Sequence, residues 1–129
     1  MINVNELRRG NIIYNLQNEY DKRQVVVTGI TSIMIACKEI VADHKFFEPI
    51  ELTEEWILKA GFINTLEPTY FEYKNKDFLI SMDNGIVDLC VGEYVENASK
   101  LKHLKYIHQL QNLFFSLCGE ELVFSSTEP

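Results

Sequence analysis

Apolar residues near the end of the chain recur at spacings of three and four. Leu104, Ile107, Leu110, Phe114 and Leu117 share one helical face, and Leu113 and Phe115 widen it. The pattern predicts an amphipathic helix from about Tyr106 to Cys118, stopped by Gly119 in a left-handed conformation. Lysines at 100, 102 and 105 oppose the positive end of a helix dipole, which argues for a start after them. The composition after Gly119, Glu-Glu-Leu-Val-Phe, predicts a short final strand.

Upstream, the period shortens to two. Residues 11–16, 24–30 and 31–37 are β-branched and apolar, and read as three strands after a single turn at 5–10. Gly29 predicts a bulge or sharp bend between the second and third strands. Residues 46–52 contain Pro49, which cannot donate to a ladder, so they read as an edge strand or extended connector.

A helix signature follows. Thr53 is the N-cap, Glu54 and Glu55 favour the positive dipole end, Gly61 ends it, and Leu52 staples onto Ile57. Trp56 is expected to anchor this short helix. Residues 70–74, 78–82 and 86–91 read as a meander, with tight turns at Asn75-Lys76 and Asp83-Asn84-Gly85. Residues 92–99 read as loop and 125–129 as a frayed tail.

Composition narrows the class. At 129 residues and 47% hydrophobic, the chain can bury a core without staples. The net charge of −7 disfavours nonspecific nucleic-acid binding, which relies on cations replacing phosphate counterions. Residues 39–55 hold six acids and one Lys. Cys37, Cys90 and Cys118 are far apart and lie among apolar neighbours. They read as reduced core residues of a cytoplasmic protein. No segment has a signal core or a membrane span's run of about 20 apolar residues.

Candidate chemistry is sparse. His108, Gln111 and Asn112 share a polar flank of the main helix at i, i+3 and i+4. They form either a recognition cluster or partners for nearby loop or sheet-edge backbone. His103 and His108, five apart, do not share a helical face, and no zinc-type motif occurs. Glu54/Glu55 and Glu120/Glu121 are adjacent pairs that do not face one another. Asp83-Asn84-Gly85 lacks the ligand series of a calcium loop. Lys100, Lys102 and Lys105 form a candidate phosphate contact, with Arg8 and Arg9 as further cations. No catalytic, cofactor or metal constellation is identified.

Three motifs carry a resemblance. Asn5-Glu-Leu-Arg-x-Gly-Asn11, Pro49-Ile-x-Leu-Thr-Glu-Glu-Trp-Ile-Leu-Lys-x-Gly-Phe62 and Lys105-Tyr-Ile-His-Gln-Leu-Gln-Asn-Leu-Phe-Phe-Ser-Leu-Cys-Gly-Glu-Glu-Leu122 occur in this order. The chain resembles a family of small uncharacterised proteins of prophage and mobile-element regions in gut bacteria. The resemblance implies a phage-related accessory protein and carries over no activity or site residue.

The expected fold is α+β: a small N-terminal β-barrel-like unit over residues 1–52, then helix, antiparallel meander, main helix and final strand over 53–124. A continuous single domain is the alternative. The expected function is a non-enzymatic protein-interaction module. Phe46, Phe47 and Trp56 are its aromatic anchors, Glu48 and Glu51 its acidic rim, and a protein partner or a second copy its target. The alternative is nucleic-acid binding through the lysine patch. No cofactor and no membrane association are expected.

Overall fold

The computed structural model describes residues 2–18, 21–38, 40–65, 69–73, 78–91 and 99–125. The fold is α+β, and the described residues form two five-stranded antiparallel sheets and two α-helices. The chain divides into two compact units. One is Met1–Glu51 with Tyr106–Glu121, the other Leu52–Lys105 with Leu122–Pro129.

In the first unit a 3-10 turn (Val4–Glu6) precedes β1 (Ile12–Asn18), β2 (Asp21–Ile30), β3 (Met34–Cys37) and β4 (Val41–Asp43). A second 3-10 turn, His44–Phe46, leads to β5 (Phe47–Glu48). The sheet order is β4-β3-β2-β1-β5. One face carries the core: Ile13, Val27, Ile35, Cys37 and Phe47, with Ile2, are buried together. Val26 and Thr28, on the alternate face of β2, are exposed, so this strand buries one face. Gly29 sits at a register shift, as its position predicts: Val27 opposes Cys37 while Gly29 opposes Ala36.

The main helix, α2 (Ile107–Cys118), belongs to this unit and lies beside β1. Tyr106 is its N-cap. The Gln109 side chain accepts from the Tyr106 N–H at 3.0 Å, and Gly119 closes the helix at φ 70°. The Ile107 N–H reaches the Ile50 carbonyl at 2.9 Å, and Glu51 bridges to Tyr106.

The second unit holds α1 (Glu54–Lys59), β6 (Phe62–Asn64), β7 (Tyr70–Tyr73), β8 (Phe78–Asp83), β9 (Ile86–Val91) and β10 (Ser99–Leu104). Its sheet runs in the order β10-β9-β8-β7-β6. Thr53 caps α1 as expected, its Oγ1 accepting from the Trp56 N–H at 3.4 Å. The β8–β9 turn has Asn84 at φ 53° and Gly85 at φ 79°, the doubly left-handed geometry that joins strands of matching twist.

Several expectations change. The N-terminal unit is an open sheet and not a closed barrel. The main helix clusters with that sheet, not with the meander. Residues 31–33 form a turn, because the Thr31 Oγ1 accepts from the Met34 N–H at 2.9 Å and ends the strand pattern early. Residues 99–104 are an edge strand, so Leu104 is buried from β10 and not from the helix. Leu117 is 44% exposed and Phe115 40%. The buried face of α2 runs instead through Ile107, His108, Leu110, Gln111 and Phe114. Residues 121–125 form no strand, and the Ser125 N–H bonds the Lys59 carbonyl at 2.7 Å. The expected turn at Asn75-Lys76, most of the 92–99 loop and the tail beyond residue 125 lie outside the described residues.

Candidate functional site

The polar flank of α2 locks onto the segment ahead of β1. The Gln111 Oε1 accepts from the Ile12 N–H at 2.8 Å, and its Nε2 donates to the Gly10 carbonyl at 3.1 Å. The Asn112 Oδ1 accepts from Asn11 Nδ2 at 2.8 Å and from Arg8 Nε at 3.0 Å. Its Nδ2 donates to the Glu6 carbonyl at 2.7 Å. Asn11, fully buried, also accepts the Arg8 N–H at 2.7 Å. Arg8 forks onto Glu121 with both terminal nitrogens and lies over the Phe115 ring at 4.5 Å. The Arg8 guanidinium holds the Glu121 carboxyl below its usual range. Gly10 at φ 96° makes the bend that brings Arg8 and Asn11 to the same helix face.

Of the two roles open to His108, Gln111 and Asn112, Gln111 and Asn112 take the second. Their amide groups are spent on backbone and on neighbouring side chains, as buried polar groups require. His108 is 1% exposed. Its Nε2 lies 3.1 Å from a Glu6 carboxylate oxygen, and the Tyr106 ring stacks on it at 5.7 Å. Its Nδ1 is buried without a hydrogen-bond partner. A neutral ring that donates from Nε2 fits both facts. Burial lowers the His108 pKa, against the opposing pull of Glu6.

A second polar row crosses the other sheet. Ser81 opposes Asp88, and Asp88 opposes His103. Asp88 lies 3.5 Å from Lys100 Nζ and 3.6 Å from His103 Nδ1. The order is Ser–Asp–His, with the carboxylate in the middle. A nucleophilic triad needs the imidazole between acid and hydroxyl, so this row does not activate Ser81. It does place an acid beneath the expected phosphate-contact patch. Lys100 is paired to it, while Lys102 and Lys105 are exposed. Arg8 is committed to Glu121 and Asn112.

The residues of the expected aromatic and acidic surface lie in different settings. Phe47 is 1% exposed because its place opposite Asn15 on β1 points it into the core. Glu48 is ion-paired with Lys22. Trp56 belongs to the second unit, where it meets Phe124 edge-on at 5.5 Å and Lys59 lies over its ring. Phe46, at 45% exposure, and Glu51 remain on the surface.

The described residues offer a different surface in the first unit. A concavity of about 500 Å³ is lined by Val25, Cys37 and Ile40, with Arg23 and Lys38 beside them and Gln24, Val26 and Thr28 along one side. Val25 and Ile40 pack on the core margin. Arg23 and Lys38 are exposed. Burial pushes the Cys37 thiol up, which makes it a poor nucleophile.

The concavity exists because β2 outruns β3. Pairing with β3 covers only Val27, Gly29 and Ile30, whereas β2 begins at Asp21. Residues 22–25 have β1 on one side and no described strand on the other, while the pairing of Val27 with Cys37 brings Lys38 opposite Val26. The sequence hid this because residues 17–23 read as polar loop. The two neighbouring runs, 24–30 and 31–37, are of equal length and carried no signal of it.

Among the described residues no cluster of three or more His, Cys, Asp or Glu side chains could hold a metal, and no helix is long and apolar enough to cross a membrane. Comparison with protein-family models, curated proteins and solved structures returns no match.

Proposed function

We propose that this chain is a non-enzymatic protein-binding module, an accessory protein of the phage-related kind that its motifs resemble, and that it binds through the concavity beside β2. One observation carries the reading: a hollow with an apolar floor of Val25, Cys37 and Ile40, flanked by the exposed cations Arg23 and Lys38. Apolar floor with a charged rim is the anatomy of a protein-binding patch. The amide groups of Gln111 and Asn112 on α2 are spent on nearby backbone and side chains, and the Ser81–Asp88–His103 row has the wrong order for nucleophilic chemistry.

The test compares affinity capture from a host-cell lysate by the wild type and by an Arg23→Glu/Lys38→Glu variant, with folding of the variant checked by circular dichroism. The reading predicts a partner that the wild type retains and the folded variant loses. Equal retention by both, or no retained partner, contradicts it.

A further inference from the structure

His108 is a buried imidazole tied to a lightly held element. The ring is 1% exposed, and its Nδ1 is buried with no hydrogen-bond partner. Its Nε2 lies 3.1 Å from a Glu6 carboxylate oxygen, at the end of the 3-10 turn Val4–Glu6. The same oxygen accepts from Gln109 Nε2 at 3.4 Å, and the Glu6 carbonyl accepts from Asn112 Nδ2 at 2.7 Å. Glu6 therefore ties the turn to α2 through both its side chain and its carbonyl. The backbone bonds of the turn are local: Glu6 N–H to the Asn3 carbonyl at 3.0 Å and Leu7 N–H to the Val4 carbonyl at 3.1 Å. The turn buries none of its own residues, whereas α2 buries five. If the contact fails, the turn is the part that yields.

We propose that the turn Val4–Glu6 is an acid-opened latch: a proton on His108 releases Glu6, and the turn swings off α2 while helix and sheet stay folded. The proposal goes beyond the binding reading above and does not depend on it. Protonation adds a second N–H, at Nδ1, where no acceptor stands, and places a cation in a site closed to water. The Glu6 carboxylate pulls the other way, but its side chain is 43% exposed and solvent screens it. Burial outweighs that pull, so the closed form holds the ring neutral below its ordinary pKa. The other described groups here supply no second acid: Tyr106 stacks on the ring, Gln109 offers an uncharged amide, and Arg8 is bonded to Asn112 and Glu121. Opening gives the charged ring water. Ile2, buried in the core, and Leu7, packed against it, hold the two ends of the turn and limit the movement. General loss of stability in acid, which any buried histidine produces, is a different outcome.

The experiment is a two-dimensional NMR titration of the full chain from about pH 7.5 to about pH 5. It follows the His108 ring, the Glu6 and Leu7 backbone amides and the Asn112 side-chain amide. The latch predicts that these signals move together with one midpoint below about 6.5. Amide exchange at Glu6 and Leu7 should rise at least roughly tenfold across it, while the amides of Leu110 and Phe114 in α2, and of Ile80 and Leu89 in the second sheet, stay protected. Two variants, checked for folding by circular dichroism, separate the roles. His108→Gln carries no titrating ring and should stay closed throughout. Glu6→Gln loses the carboxylate that favours the protonated closed form and should open at higher pH. A His108→Gln chain that opens at the pH of the wild type overturns the proposal. So do Glu6 and Leu7 signals that stay fixed while His108 titrates, or a ring that takes no proton above about pH 5. Loss of protection at Leu110 and Phe114 with the same midpoint means global unfolding, and it overturns the latch. If His108→Gln does not fold, the wild-type titration and the direction of the Glu6→Gln change decide it.

Discussion

Arg8 and Asn112 are bonded across 104 positions of sequence, Arg8 Nε donating to Asn112 Oδ1 at 3.0 Å. The same oxygen accepts from the fully buried Asn11. Two motifs from opposite ends of the chain therefore form one hydrogen-bonded hub. Asn112→Ala strands Asn11 Nδ2 and the Glu6 carbonyl together, and should cost roughly 1–3 kcal/mol in urea denaturation. A loss below about 0.5 kcal/mol would show that water replaces the amide and that the hub does not hold the unit.

The buried face of α2 makes a graded prediction. Leu110→Ala and Phe114→Ala should each cost roughly 2–5 kcal/mol, the range for large-to-small core changes. Leu117→Ala, at a position 44% exposed, should cost no more than about 0.5 kcal/mol. Denaturation that finds Leu117 as costly as Leu110 would mean that the helix is rotated about its axis.

His108 gives the fold a pH dependence. Burial lowers its pKa below that of the unfolded chain, so the folded state binds the proton less readily. Its contribution is complete above the unfolded value of about 6.5 and is lost as pH falls below that value toward the folded pKa. Protonation would also bury an N–H at Nδ1, where no partner stands. Denaturation midpoints should fall between pH 7.5 and 5.5 in the wild type, and His108→Gln should flatten that slope. An unchanged slope in the variant would assign the pH dependence to other groups.

The lysine strand makes a negative prediction. Lys100 is paired with Asp88, and Arg8 with Glu121, which leaves little field for a polyanion. A mobility-shift series at low salt should show no retention of duplex or single-stranded DNA. Retention that falls steeply with added salt would restore the nucleic-acid alternative.

Local signals in the sequence were legible where the chemistry is local. Thr53 before two glutamates, Asn84-Gly85 between alternating runs, and Gly29 within a β-branched stretch each act over a few residues, and each appears as read. Long-range choices were not legible. Leu117 and Ile107 have the same helical period, but His108 and Gln111 take the buried flank because the backbone of residues 10–12 takes the Gln111 amide and the Glu6 carboxylate takes the His108 imidazole. Phe47 and Phe46 are adjacent, and only pairing with β1 decides which one enters the core. The concavity was least legible, since it depends on how far β3 follows β2.

The binding account depends most directly on an open β2 margin, and native-state amide hydrogen exchange of the free protein measures it. The account predicts protected amides at Val25 and Val27, which face β1, and fast exchange at Gln24, which turns away from β1 beside the concavity. Protection of Gln24 equal to that of Val25 and Val27, in a sample shown to be monomeric, would mean that the margin is already covered and would contradict the account.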